Sequence, residues 1–270
     1  MAEKNEVVVS FSEALTDKLV SVEYALPADF NKTRFVQNCL ALMNEHPELA
    51  KVNKNAVIQG LLKGAFLGLD YASKECYLIP YGNTVNFQTD YKGECKFVKR
   101  YAIRPIKDIY AKVVRTGDEF VEEIVNGLPT INFKPLPFNG NEIIGAFAVV
   151  IYKDGGIDYE TMSTDAIQSV RNNYSKASNS KAWKASFDEM AKKTVLRRLC
   201  KHIEIDFDSV NARSAWEEGS GMDFTSGQNV ANRDEVVDVF NHSEDLQEVP
   251  QEETVNVEDV IDAEAREVFG

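Results

Sequence analysis

The sequence lacks the local patterns on which metal sites, disulfide frameworks and nucleotide-driven machines are built. Its four cysteines (Cys39, Cys76, Cys95 and Cys200) form no CxxC pair, and its three histidines stand apart. That argues against a zinc site and for reduced, structural thiols in a cytosolic setting. No G-x-x-x-x-G-K-S/T loop and no G-x-G-x-x-G turn occurs, which speaks against an NTP-driven motor or a dinucleotide enzyme. No serine or cysteine sits in a recognisable nucleophile setting, and no cofactor is called for. The longest apolar run, Ile143 to Tyr152, falls well short of the roughly 20 residues a membrane span needs. The N-terminus shows no charged-then-apolar signal pattern. A soluble, intracellular protein is expected, with no membrane partner.

What is present is a division of charge. The 270 residues carry a formal net charge of −13, but residues 1–203 hold 27 Lys+Arg against 24 Asp+Glu, whereas 204–270 hold 3 against 19. Beyond about Ser209 polar and acidic residues dominate and apolar ones become sparse, so 209–270 is expected to be a mostly disordered acidic tail. One exception is Val255–Phe269, where Val257, Val260, Ile261, Ala265 and Phe269 could form one helix face for a partner.

Within the body the hydrophobic period changes twice. Helical spacing marks Ser10–Val20, Asn31–Met43 and Asn53–Leu67. Cys76–Pro80 and Thr84–Gln88 flank Gly82-Asn83 as a hairpin. Asp90–Tyr101 reads as a short basic helix, and Ile106–Val114 and Glu119–Val125 alternate as strands before the Asn126-Gly127 turn. Ile143–Lys153 and Ile157–Met162 surround Asp154-Gly155-Gly156 as the clearest hairpin. Thr164–Asn172 returns to helix. Ser180–Ile203, without Gly or Pro, reads as one long basic helix of about six turns. Its apolar residues fall on two faces, which leaves Lys193, Arg197, Arg198 and Lys201 on an exposed arc. The fold class is α+β: an antiparallel β-meander flanked by helices, with a core at 1–208 and the tail at 209–270.

Two readings compete for the charged residues. Asp90, Glu94 and Lys96 spell D-x3-E-x-K, which in a nuclease could place two carboxylates on Mg²⁺ and a lysine on the attacking water. Here all three lie in one helical stretch, whereas that trio usually comes from two strands. The alternative is stronger. Lys92–Arg115 holds eight basic residues against two acidic ones, and Lys176–Lys201 holds the same balance. Tyr81, Phe87, Tyr91, Phe97, Tyr101 and Trp183 are interleaved. Phosphates need cations and bases need flat faces, so such a pairing suits an unspecific single-strand binder. A solvated basic face with aromatic rings in the core is the bland reading; it suits Phe87 and Phe97, and Trp183 stays open. The candidate DNA contacts are Lys92, Lys96, Lys99, Arg100, Arg104, Lys107, Lys112, Trp183, Lys192, Lys193, Arg197, Arg198 and Lys201.

An ordered set of short motifs then carries a resemblance. Ala65–Asp70 (AFLGLD), Tyr77–Asn83 (YLIPYGN), Gln88–Gly93 (QTDYKG), Lys99-Arg100, Asp118-Glu119-Phe120, Met190–Thr194 (MAKKT) and Arg197-Arg198 resemble the RecT family of phage recombinases, in order, from about residue 30 to 205. The resemblance implies an ATP-independent single-strand annealing protein with no catalytic constellation. It would form rings or helical filaments on single-stranded DNA and on the annealed duplex. It also implies a partner exonuclease and contacts with the host single-strand-binding protein. Carried over residue by residue, it selects Lys92, Lys99, Arg100, Lys193 and Arg197 as phosphate contacts. The acidic tail matches no motif of that pattern.

Overall fold

The structure, a computed structural model, describes residues 2–174 and 181–221. Three helices lead: α1 (Ala2–Ser21), α2 (Lys32–Glu45) and α3 (Lys54–Leu67). Asn31 caps α2 by accepting from Arg34 N, and Asn53 caps α3 by accepting from Asn55 N and Ala56 N. These short side chains satisfy amides that a helix start leaves unpaired. Gly68 ends α3 in the left-handed conformation, φ 63°, which glycine adopts without a steric penalty. Directly after it, Asp70 accepts from Arg34 Nη2 (3.0 Å), Asn38 Nδ2 (2.9 Å) and its own neighbour Ala72 N (2.9 Å). The AFLGLD stretch is thus the joint that ties α3 to α2.

The strands are antiparallel and flanked by helices, as the periodicity implied, and they divide into three small sheets. β1 (Cys76–Tyr81) and β2 (Thr84–Thr89) form a hairpin. β3 (Ile106–Arg115), β6 (Ile143–Tyr152) and β7 (Ile157–Ser163) form a sheet in the order β3-β6-β7. Between β3 and β6 the chain makes an excursion, the hairpin of β4 (Glu119–Val125) and β5 (Leu128–Lys134). The strand β5 has no counterpart in the sequence reading.

The long apolar run is β6, and the packing explains its length. Ala146, Ala148 and Val150 belong to the main core, whereas Phe147 and Val149 belong to a second cluster with Val114. A strand buried on both faces loses its polar alternation. The second cluster is closed by the β4–β5 hairpin, whose Phe120 and Phe133 pack on Phe147 at ring-centroid distances of 5.3 and 5.0 Å.

The main core lies under the opposite sheet face, against α4 (Tyr91–Tyr101), α5 (Thr164–Tyr174), α6 (Lys181–Ala185) and α7 (Phe187–His202). The single helix expected over Ser180–Ile203 is therefore two. It breaks at Ser186 (φ −132°, ψ 47°). Trp183 is 2% exposed, and its ring packs near Phe187 at 6.2 Å.

Order also extends beyond the expected boundary at 208. Helix α8 (Val210–Gly219) is capped by Ser209, which accepts from Ala212 N. It buries Ala212, Ala215 and Trp216, and Trp216 stacks on Phe97 at 4.8 Å. The patch expected at Val255–Phe269 lies outside the described residues.

Candidate nucleic-acid interface

The site is built where the β1–β2 hairpin hands over to α4 and meets α7. Asp90, 3% exposed, caps α4 by accepting from Lys92 N at 3.0 Å, while its own N–H donates to Glu75 O. Gly93 comes next because a Cβ there would lie 2.1 Å from Glu75 O. No side chain fits that approach. The QTDYKG stretch thus combines a cap, a ring, a cation and a required glycine at one helix start.

Around that start, cations gather on one ring. Lys92 Nζ lies 5.9 Å from the Tyr91 ring centroid, and Lys193 Nζ, coming from α7, lies 5.5 Å from the same centroid. Cations are attracted to the negative face of an aromatic ring. Beneath lies a buried ion pair. Arg197 Nη2 stands 2.9 Å from Glu94 Oε1, the two side chains being 2% and 0% exposed. Thr89 bridges them: its hydroxyl donates to Glu94 Oε1 at 2.8 Å, and its carbonyl accepts from Arg197 Nη1 at 3.2 Å.

Burial raises the Glu94 pKa above the ordinary carboxylate value, a shift that Arg197 and the Thr89 hydroxyl oppose. Asp90 is raised for the same reason, opposed by the Lys92 amide and by the charges of Arg197, Lys193 and Lys92. Burial likewise lifts the Tyr77 hydroxyl, with further contributions from Asp90, Cys76 and Tyr91.

This geometry corrects the exposed arc expected for the second basic segment. Arg197 is a core residue and Lys193 is 9% exposed. Their helix face turns toward α4 because Glu94 and Asp90 draw it there. Trp183, a candidate stacking platform in sequence, is core as well. Arg198 turns the other way and pairs with Glu160 of β7 at 2.8 Å, while Lys192 pairs with Glu189 on its own helix. Lys201 is half-buried and close enough to Glu94 to lower its pKa.

The first basic segment is spread over several surfaces. Lys96 pairs with Glu75 at 2.6 Å, Lys99 with Asp108 at 3.2 Å, and Arg100 with Asp29. Arg104 holds Asp154 through two bonds, of 2.7 and 2.8 Å, and covers the Tyr152 ring at 4.0 Å. Lys112 stands opposite Phe147 in the β3–β6 ladder and therefore points to the sheet face away from α7. Lys112 and the cations of α7 therefore do not line one groove. Lys92 and Lys193 do come together, joined by the half-buried Tyr91.

The D-x3-E-x-K trio is engaged otherwise. Asp90 is a helix cap, Glu94 is held by Arg197, and Lys96 is held by Glu75. Among the described residues no group of three or more His, Cys, Asp or Glu side chains could hold a metal ion. No described helix is long and apolar enough to cross a membrane. The Cys95 and Cys200 sulfurs lie 3.9 Å apart between α4 and α7, both as free thiols.

The sequence is similar to that of a known protein. Protein RecT of Escherichia coli (strain K12) is 29% identical over 229 residues, which span 80% of this chain and 82% of that protein. The RecT family profile matches residues 33–238, a span that takes in α4, α7 and every residue of the Tyr91 cluster; the chain belongs to the RecT family.

Proposed function

We propose that this protein binds single-stranded DNA and pairs it with a complementary strand in homologous recombination, without ATP and as an oligomer. The observation that carries the reading is the placement of Lys92 and Lys193 on one tyrosine ring at the start of α4. Two ammonium groups beside one aromatic ring offer a phosphate its counter-charge and a base its platform, with no demand on sequence. Sequence is then read by Watson–Crick pairing between the strands. The work is positional, so no bond in the DNA is made or broken. The buried Glu94–Arg197 pair holds α7 against α4 and so fixes the spacing of the two lysines. Exposed ion pairs such as Lys96–Glu75 and Lys99–Asp108 can exchange a carboxylate for a phosphate at small cost.

Membership of the RecT family supports this reading. It extends to assembly into a ring or helical filament, and to a partner exonuclease and a host single-strand-binding protein as functional neighbours. The acidic segment 222–270 is the proposed docking region for such partners.

Mixing fluorescently labelled complementary oligonucleotides with the full chain, in EDTA and without nucleotide, tests the proposal. Annealing well above the spontaneous rate is expected. Binding without acceleration would identify a passive single-strand binder instead. Strand cleavage that depends on Mg²⁺ would identify a nuclease.

A further inference from the structure

The β4–β5 hairpin carries a largely apolar face whose outer half is exposed. In its ladder Phe120 stands opposite Phe133, Glu122 opposite Ile131 and Ile124 opposite Pro129. Alternation places Phe120, Ile124, Pro129, Ile131 and Phe133 on one side together with Glu122, and Val121, Val125 and Leu128 on the other. Phe120, Ile131 and Phe133 pack on the sheet, yet Ile124 is 75% exposed. The hairpin therefore overhangs the sheet. At its end Val125 and Leu128, also exposed, flank the Asn126-Gly127 turn.

The base of the hairpin presents a second apolar group. Phe138 is wholly exposed, at 105%, on a backbone with φ 54°. A bulky residue in the left-handed region is strained and persists only where its surroundings fix it. Here they do. Asp118 accepts from Arg115 N (2.8 Å), Leu136 N (2.9 Å) and Asn139 Nδ2 (2.8 Å). Asn139 and Asn141 both donate to Thr116 O, and Arg115 donates to Asn141 O. This network holds outward a phenyl ring that the described residues leave fully exposed. From base to tip the seven-residue strands run roughly 20 Å, with Leu136 and Val121 exposed along the way.

The charge of this arm selects its occupant. Residues 116–144 hold five acidic side chains against Lys134 alone, so neither DNA phosphate nor an anionic membrane suits it. Segment 222–270, with fourteen acidic residues against two arginines, suits it no better. A complementary surface exists on the same chain. β3 is an edge strand, paired only with β6 among the described strands. Its margin exposes Lys107, Tyr110 and Lys112, with exposed Ile103 just before the strand, and among the described residues neither Lys107 nor Lys112 makes an ion pair. The arm leans toward the other margin, where Thr161 of β7 contacts Glu122 at 3.4 Å.

We propose that the β4–β5 arm of one copy seats on the β3 margin of a second copy. Apolar side chains meet apolar ones, and glutamates meet Lys107 and Lys112. Joining two different surfaces makes the contact heterologous, so it propagates into a ring if the rotation closes and a helix if it does not. The inference rests on the proposed oligomeric action on DNA and names its contact.

The test uses the full chain and sedimentation velocity in moderate salt. An arm variant carries Ile124→Thr, Leu128→Thr and Phe138→Gly; a margin variant carries Lys107→Glu and Lys112→Glu. Each should self-associate about 30-fold more weakly or worse, the effect of losing a central anchor. Mixed, they should form heterodimers and stop there, since only one intact arm faces one intact margin. Phe138→Gly alone should unfold at a higher temperature than wild type, because the strain is released. A merely structural role for Phe138 would give the reverse. The proposal is overturned if wild type is monomeric, if the arm variant assembles like wild type, or if the mixture gives no heterodimer. Loss of capture of another protein with self-association intact would also overturn it, and would assign the arm to that partner. Binding of a labelled oligonucleotide by wild type, measured in parallel, separates failure of this contact from failure of the DNA-binding reading.

Discussion

Arg197 is the side chain for which burial and sequence disagree most, and replacing it yields the sharpest prediction. The guanidinium is 2% exposed and faces a Glu94 carboxylate that is 0% exposed. Arg197→Met removes the partner and leaves a charged carboxylate in the core. Breaking a buried pair from one side costs about 3–5 kcal/mol. For a body of this size each kcal/mol lowers the melting temperature by about 2–4 °C, so a fall of about 6–20 °C is expected. Adding Glu94→Leu removes the orphaned charge, and the double variant should recover most of the loss, since a well-packed apolar pair is often as stable as the ions it replaces. The deficit should also depend on pH with a defined sign. Burial already raises the Glu94 pKa, and Arg197 is the first influence holding it down. Without Arg197 the folded-state pKa rises further. A carboxyl raised in the folded state favours folding below its unfolded value and loses that contribution as pH climbs through the folded value. The Arg197→Met deficit should therefore shrink on acidification from pH 7 toward 5. Thermal and urea unfolding of the four proteins in the cycle measure all of this. A single-variant loss below about 1 kcal/mol, or a double variant no better than the sum of the singles, would refute the buried-pair account. A fall in DNA binding by Arg197 variants would then have to be read as loss of a contact rather than of the fold.

Truncation should distinguish two boundaries: a chain ending at 221 should keep the melting temperature of the full protein, whereas one ending at 208 should lose several degrees by circular dichroism, because it deletes Trp216 from its stack on Phe97. Lys92→Ala, at an exposed helix start, should weaken binding of an oligonucleotide and flatten the plot of log K against log salt by about 0.7 without changing unfolding. If about four phosphates are neutralised per protomer, the wild-type slope should be roughly −3. Asp118 has its pKa lowered by the bonds from Asn139, Arg115 and Leu136; its hold on the Phe138 loop is present above the ordinary carboxyl value and lost as pH falls through the lowered one. Asp118→Asn should therefore speed hydrogen exchange of the Leu136 amide at neutral pH.

The parts of the fold legible in sequence were those whose signal is local. Asp90 before a basic amphipathic stretch marked α4, and the Gly82-Asn83 and Asp154–Gly156 turns fixed their hairpins. β5 escaped because Leu128-Pro129 reads as turn continuation, and its partners are supplied by the sheet it folds onto. α8 does carry a local signal, Ser209 followed by Ala212, Ala215 and Trp216 at helical spacing, but the acidic residues around it mask the pattern. The break at Ser186 has none, since no Gly or Pro marks it. The site divided in the same way. Lys92 is identifiable in sequence as a cation beside Tyr91, but only the fold brings Lys193 to the same ring. Helical periodicity assigned Arg197 to the open arc because a basic residue counts as polar. Its burial depends on Glu94, which no spacing rule connects to it.

The pairing of cations bears on how binding strength must arise. Lys96, Lys99, Arg100, Arg104, Lys192 and Arg198 each face a carboxylate, and residues 1–221 hold 28 basic side chains against 29 acidic ones. There is no strong net field to draw DNA from a distance, and at physiological salt the Debye length is only about 8 Å. On the proposed reading a single protomer, with Lys92 and Lys193 as its best-placed pair, binds a few nucleotides weakly. Strength then comes from repetition: a strand held by one protomer is presented to the next at high effective concentration, and modest affinities multiply. Weak individual contacts also suit annealing, because a base held loosely on a tyrosine face can be surrendered to its complement. Under this account the assembly contact and the nucleotide contact are coupled. Weakening the arm should reduce affinity for long strands far more than for strands short enough to fit one protomer.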